Sequence, residues 1–416
     1  MRIVARALLF ACALSGAVLP AAGPALAEEL PVNLAIWYPL SVNRTETADV
    51  GVNLSLIYGR VGDVGMLDLS GIASVVEYDA RWLQLTGVAG VVGERFDGIQ
   101  FAGAANVVGE NLSGIQIGGA ANIAGEAADG LQLAGFANIA GKTLQGMQLS
   151  GFANVAGDGA EGLQFAGFAN VTGDAMQGMQ IGGFANIGGN VVEGLQLAGF
   201  ASIAGDGMEG IQASGFANIA GGDVDGLQVA GFANIAGENL EGWQLGVVNV
   251  AGNEARGLQM GVANVAGEQR GLPLGLYLRE EEAVILDFVL YGSSLGAANM
   301  GIYTEANRWY SMVSLGSFNL SQEIYEALIS AWHFGRRFPV GDWDLGLDLG
   351  VLHVDNEELF RSGPNDREAV QARVLATRIV ADHAAVFAGA GLTWLYDREA
   401  EDGEGEPLFL AGVRVF

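Results

Sequence analysis

Gly130-Leu131-Gln132-Leu133-Ala134-Gly135-Phe136-Ala137-Asn138-Ile139-Ala140-Gly141 is one copy of a phrase that the chain repeats every sixteen residues from about Met66 to Leu276. Glutamines recur at Gln84, Gln100, Gln116, Gln132, Gln148 and Gln164 and so on to Gln244, and Gln259 follows fifteen residues later. The asparagines keep the same step through Asn106, Asn122, Asn138, Asn154, Asn170 and Asn186. Ser202 then substitutes once, before Asn218 and Asn234. A fixed period of this length is the signature of a repeat architecture.

With the glutamine numbered zero, apolar residues occupy −1, +1, +4, +7 and +12, and glycines −2, +3 and +9. Short alternating segments broken by glycine read as short strands joined by bends. Ordering sixteen residues costs more than burying five apolar side chains returns, so a single copy cannot fold by itself. Stacked as coils of a β-solenoid, the copies satisfy one another's backbone at about 4.8 Å spacing, and like residues fall over like residues. Phe136, Phe152 and Phe168, continuing to Phe232, are then expected as an internal aromatic stack. Gln132, Gln148 and Gln164 and likewise Asn138, Asn154 and Asn170 are expected as structural amide ladders, with a polar ligand track as the alternative.

Position +5 is alanine from Ala89 to Ala233, and +2 and +8 are mostly small. If these point outward, they form a flat face able to dock a second rod; otherwise they serve the tight turning of the coil. Acids gather at +10 and +13, as in Asp158, Glu161, Asp206 and Glu209. Aligned, they make a solvated edge that keeps the rod soluble. The same four residues are weak Ca²⁺ candidates, because calcium wants several oxygens at one site. No other metal and no cofactor is expected.

The same letters admit a competing fold. Leu131 to Ala140 has the length of a transmembrane strand, with Leu131, Leu133 and Ile139 toward lipid and Gln132, Phe136 and Asn138 toward a lumen. Against an all-barrel chain, the apolar +12 residue would be wasted in a turn. Nor is there an alternation of short turns with long loops, or a gathering of aromatics at strand ends.

The flanks differ from the repeats. Arg2 and Arg6, an apolar run from Ala7 and the Ala25-Leu26-Ala27 site read as a signal peptide over residues 1–27. Cys12, the single cysteine, would leave with it, so neither a disulfide nor cysteine metal chemistry is expected. Residues 28–64 read as N-terminal strands and a cap, with strands Pro31 to Val42 and Val50 to Tyr58 across a turn at Asn43 to Thr47. The repeats fill 65–277, and 278–416 reads as an antiparallel β domain of eight strands. A sheet capping the end of the rod is the expectation there, with a small barrel as the alternative. Val413-Arg414-Val415-Phe416 partly matches the terminal signal of outer-membrane barrels, since Arg414 and Gly412 stand where apolar residues usually do.

The 416 residues carry a net charge of −28 with Lys142 as the sole lysine, which argues against nucleic acid and anionic headgroups as partners. Half the residues are hydrophobic, so this is no disordered acidic chain. His333, His353 and His383 lack zinc spacing, and no phosphate loop or nucleophile elbow is present.

The copies resemble the Gly-Leu-Gln-x-x-Gly-x-x-Asn-x-x-Gly repeats of a loose group of exported bacterial surface-repeat proteins. That resemblance covers about Met66 to Tyr277 and implies an envelope or surface location, with no catalytic residues to carry over. The sequence thus predicts an all-β exported protein of a Gram-negative envelope, in the periplasm, the outer membrane or on the surface. It would act without catalysis as a structural or interaction scaffold, toward a protein or glycan partner or its own kind. An outer-membrane barrel passing solutes is the alternative, and a carbohydrate-active β-helix enzyme with paired carboxylates the third.

Overall fold

The computed structural model describes residues 29–42, 47–280, 286–294, 298–317, 328–355, 367–397 and 403–416. The expected signal peptide lies outside them, as do most of the Asn43 to Thr47 turn and the longer connections of the C-terminal region. The described residues are all-β, a solenoid of about fifteen coils followed by antiparallel strands.

Each regular coil contributes two strands, such as Leu144–Ser150 and Ala153–Ala156. Both pair in parallel with their equivalents one coil away: Gln148 lies between Gln132 and Gln164, and Asn154 between Asn138 and Asn170. This sixteen-residue parallel register excludes the all-barrel chain. Stacking also begins earlier than the flanks suggest. Glu29–Trp37 pairs in parallel with Asp49–Val61, Val32 opposite Val52 and Leu34 opposite Leu54, so these two strands are stacked coils and not a hairpin.

The glycine at −2 makes the tight coil feasible. From Gly98 to Gly242 it holds φ between 119° and 140°, and a Cβ there would meet the carbonyl oxygen of the coil before, as at Gly162 against Gly146 O at 2.1 Å. Side chains are thus excluded at this corner by backbone stacking itself.

The inside of the coil differs from expectation. Gln at 0, Asn at +6 and the small residues at +2 and +8 point inward and are buried, while −1, +1, +4 and +7 point outward. The apolar core shrinks to one seam built from +8 and +12, as in Ala140 with Leu144 and Ala236 with Leu240. The phenylalanine stack does form, with ring centroids 4.8–5.2 Å apart and planes within 9°. It runs along the outer corner, however, each ring from Phe136 to Phe232 being 41–56% exposed. The reason is parity and room: glutamine, asparagine and the small residues share one side of the strands, and a lumen lined by Ala and Gly has no space for a phenyl column.

Burying amides demands partners. Each glutamine Nε2 donates to the Oε1 of the coil before, as Gln148 to Gln132 at 2.7 Å. The asparagines donate the other way, Asn138 Nδ2 to Asn154 Oδ1 at 3.0 Å, and each spends its second N–H on a carbonyl of the next coil, as Asn154 does on Phe165 O at 2.7 Å. The two ladders therefore run with opposed dipoles. Their loose ends fall where the sequence breaks the column: the Oδ1 of Asn106 and Asn218 and the Oε1 of Gln259 lack a donor, next to Gly90, Ser202 and Pro273 respectively.

The C-terminal region is a closed barrel, which corrects the expected capping sheet. Eight strands, Asp287–Ser293, Ala298–Ala306, Trp309–Ser317, Leu328–Val340, Trp343–Asp355, Arg367–Ala381, Ala384–Asp397 and Gly403–Val415, pair antiparallel in order. The first pairs with the last, Phe288 opposite Val415 and Leu290 opposite Val413, and leaves no edge. At one end two-residue connections join the strands, at Asn307-Arg308, Gly341-Asp342 and Asp382-His383, and at the other the connections are longer.

The last coil leans on the outside of this barrel. Leu278 N donates to Thr304 Oγ1 at 3.1 Å, which donates to Leu276 O at 3.3 Å. Thr304 faces outward in register yet is buried at this contact, and its outward partner Ser311 is buried too, accepting from Trp332 Nε1 at 2.9 Å.

Which side chains hold the coil together is open to a direct test. Gln180→Leu leaves one N–H of Gln196 Nε2 without its acceptor and takes a donor from Gln164 Oε1, and is expected to cost about 2–4 kcal/mol by thermal or denaturant unfolding. Phe184→Ser, on the exposed ridge, is expected to cost under about 1 kcal/mol. The reverse order would contradict the inward amide column.

Candidate functional site

With the interior committed to amide ladders, recognition falls to the outer surface. Phe136 to Phe232 form the ridge where the two strands of each coil meet, and Val247, Val262 and Leu276 continue it. Leu, Ile and Met at −1 and +1 make one flank, and Ile or Val at +7 the other. None of these columns carries a charged residue from Leu83 to Leu274. Every charged residue between Leu83 and Val250 sits instead at +10, +11 or +13, on the edge opposite the ridge.

That edge holds the four calcium candidates. Asp158 and Asp206 stand at +10, Glu161 and Glu209 at +13, all exposed. No group of three or more His, Cys, Asp or Glu side chains converges on a metal position among the described residues. The small residues at +2 and +8 are buried in most coils and only the +5 alanines reach the surface, half-buried beside the ridge, so no flat small-residue face forms; the outward surface is large and apolar.

The barrel repeats this inverted polarity. Outward residues such as Leu349, Leu392, Phe288 and Val351 are exposed and apolar. Inward, Arg373 grips Asp348 with Nε to Oδ1 at 2.8 Å and Nη2 to Oδ2 at 2.9 Å, and Tyr310 Oη donates to the same carboxylate at 2.7 Å. His333 Nε2 meets Gln371 Oε1 at 2.9 Å, and Gln371 Nε2 donates to Thr393 Oγ1 at 2.9 Å. Pairing of this kind is what a buried charge requires. Tyr291, Met312, Leu375 and Phe387 fill the space around these groups, and the gap left among them is about 30 Å³. The lumen is filled at this level, as eight strands allow, while a wider recess of about 390 Å³ lined by Asp287, Glu305, Arg337 and Arg414 opens at the short-turn end.

Aromatic residues mark both ends of the barrel wall. Trp309 stacks on Phe334 at 5.3 Å and Arg336 covers Trp309 at 5.1 Å near the two-residue turns, where Arg378 also lies over Trp343 at 5.6 Å. Trp394 and Tyr396 stand toward the longer connections. None of these wall positions is flagged by the repeat, and only the alternation of strands such as Trp343–Asp355 hinted at them in sequence.

Comparison of the chain with protein-family models, curated proteins and solved structures returns no match.

Among the described residues of the rod's interior columns, one is titratable. Asp68 occupies the glutamine column and accepts from Asn53 Nδ2 at 2.7 Å on one side and Gln84 Nε2 at 2.7 Å on the other. An acceptor-only side chain is what lets donors converge from both directions. Burial raises its carboxyl above the ordinary 3.8, with hydrogen bonds from Ser74, Gln84, Asn53 and Ser70 opposing. Between the unfolded value and the raised folded one the rod holds a proton that the unfolded chain has released, and this group's contribution falls as pH rises through that window. Asp68→Asn is expected to flatten that slope and, because its amide nitrogen would face a donor where a carboxyl oxygen accepted, to be less stable than the parent at acid pH, with the deficit shrinking as pH rises. Denaturant unfolding across pH reads the difference; parallel curves would contradict it.

Proposed function

We propose that the protein is a non-enzymatic envelope scaffold, anchored in an outer membrane by its C-terminal barrel and using the rod as an extended structural or interaction element. The observation that carries this reading is the barrel's polarity: a closed strand ring with ion pairs inside, apolar side chains outside, aromatic residues toward both ends and two-residue turns at one end. Closed barrels are one of the two structures that satisfy every backbone group in lipid, and this distribution is the one a bilayer selects.

The ion-paired and aromatic side chains that fill the middle of the lumen support an anchor over a solute pathway. The unbroken run of coils from Gln84 to Gln244 supports a scaffold over an enzyme, since catalytic solenoids build sites from insertions that interrupt the repeat. The acidic edge, exposed along the rod, is the surface left for a protein or glycan partner at the envelope. The resemblance of the copies to exported surface repeats agrees with this location.

Fractionation of Gram-negative cells expressing the full chain tests the anchor. The expected result is retention in the outer-membrane fraction with a heat-dependent shift in gel mobility, because a closed barrel stays folded in detergent until heated. Release as a soluble protein would overturn the proposal.

A further inference from the structure

The rod's outward apolar surface exceeds what a soluble protein leaves bare. At two-fifths exposure or more, the seven ridge phenylalanines from Phe136 to Phe232 alone show on the order of 600 Å². The flanking columns add to this along a rod roughly 70 Å long.

Where the rod meets the barrel indicates what covers that surface. The ridge ends at Leu276, which lines a groove on the outer barrel wall with Val313, Trp332, Val351, Val370 and Trp394. Trp332 also closes a trough formed by Leu245, Val247, Met260 and Val262 on the rod. Trp332 pairs with Val313, the midpoint of Trp309–Ser317, so the ridge points at the middle of the wall. Glu280, four residues on toward the acidic edge, accepts from Asn307 N at 2.9 Å at a two-residue turn. The ridge is thus continuous with the apolar wall, and the acidic edge lies on the side of the short turns.

We propose that the rod lies along the short-turn leaflet of the membrane, with its phenylalanine ridge and both apolar flanks in the hydrocarbon layer and its acidic edge in water. This rests on the barrel being the anchor. Since outer-membrane barrels keep short turns on the periplasmic side, the rod belongs to the periplasmic leaflet. The charge pattern fits: between Leu83 and Val250 every charge stands on the edge that would face water, and none interrupts the inserted columns. A second copy packed ridge to ridge would also cover the apolar flanks, but it would not require the ridge to run into the barrel wall.

The test uses the full chain with Cys12→Ser, reconstituted in phosphatidylethanolamine/phosphatidylglycerol vesicles carrying a spin-labelled acyl chain. A polarity-sensitive fluorophore is placed singly by Phe184→Cys on the ridge, Asp174→Cys on the edge or Leu349→Cys on the barrel wall, with Phe200→Cys as a second ridge site. The expected result is a blue-shifted, lipid-quenched label at both ridge sites and on the wall, and an unquenched, water-exposed label on the edge. A quenched wall with an unquenched ridge overturns the inference and leaves the anchor standing. A ridge label shielded from water but unquenched by lipid overturns it in favour of a second copy. An unquenched wall overturns the anchor itself, whatever the ridge reports.

Discussion

The amide ladder inside the narrow coil is the interaction on which the rest of the structure depends. A sixteen-residue turn lined at +2 and +8 by Ala, Gly, Ser and Thr leaves room for a column of primary amides spaced by one coil, and little else. At that spacing each amide meets its copy, so a polar interior carries no desolvation penalty except at the ends of a column. Asn106, Asn218 and Gln259 show the rule by its exceptions, each lacking a donor where the neighbouring coil supplies no amide. Asp68 shows it from the other side, as a carboxylate placed where two donor directions meet.

Once the amides are inside, strand alternation sends the large apolar residues out. The rod and the barrel then share one polarity, hydrogen-bonding groups within and hydrocarbon without, although one is a parallel solenoid and the other an antiparallel ring. In water such a molecule would bury its surface against itself. Segregation of the charge between Leu83 and Val250 onto one edge of the rod, and the seating of the opposite ridge against the barrel wall, point to a single apolar environment for both parts.

Much of this was legible in sequence and one part was not. The sixteen-residue step fixed the register, so Gln132 over Gln148 and Asn138 over Asn154 could be read directly. The strands from Leu328 to Val415 announced themselves by alternation and turn residues. Parity could not be read, because a period of two divides residues into two sets without saying which faces inward. Habit assigns Phe136 and its copies to the core, and the size of the coil's lumen, a three-dimensional quantity, reverses that. Closure of the barrel depends on pairing between residues as far apart as Phe288 and Val415, which no local pattern encodes. The parallel stacking of Val32 on Val52 was hidden for a similar reason, since a turn-like stretch between two strands looks the same whether it closes a hairpin or a coil.

Hydrogen exchange of the side-chain amides, followed by NMR on the full chain in detergent micelles, tests the inward ladders most directly. The account predicts that the side-chain NH₂ groups of the two buried columns, Gln84 to Gln259 and Asn106 to Asn264, exchange far more slowly than free amides, while Gln145, Gln177 and Asn190 on the outer edge exchange freely. Uniformly fast exchange along both columns would place the amides outside and contradict the account.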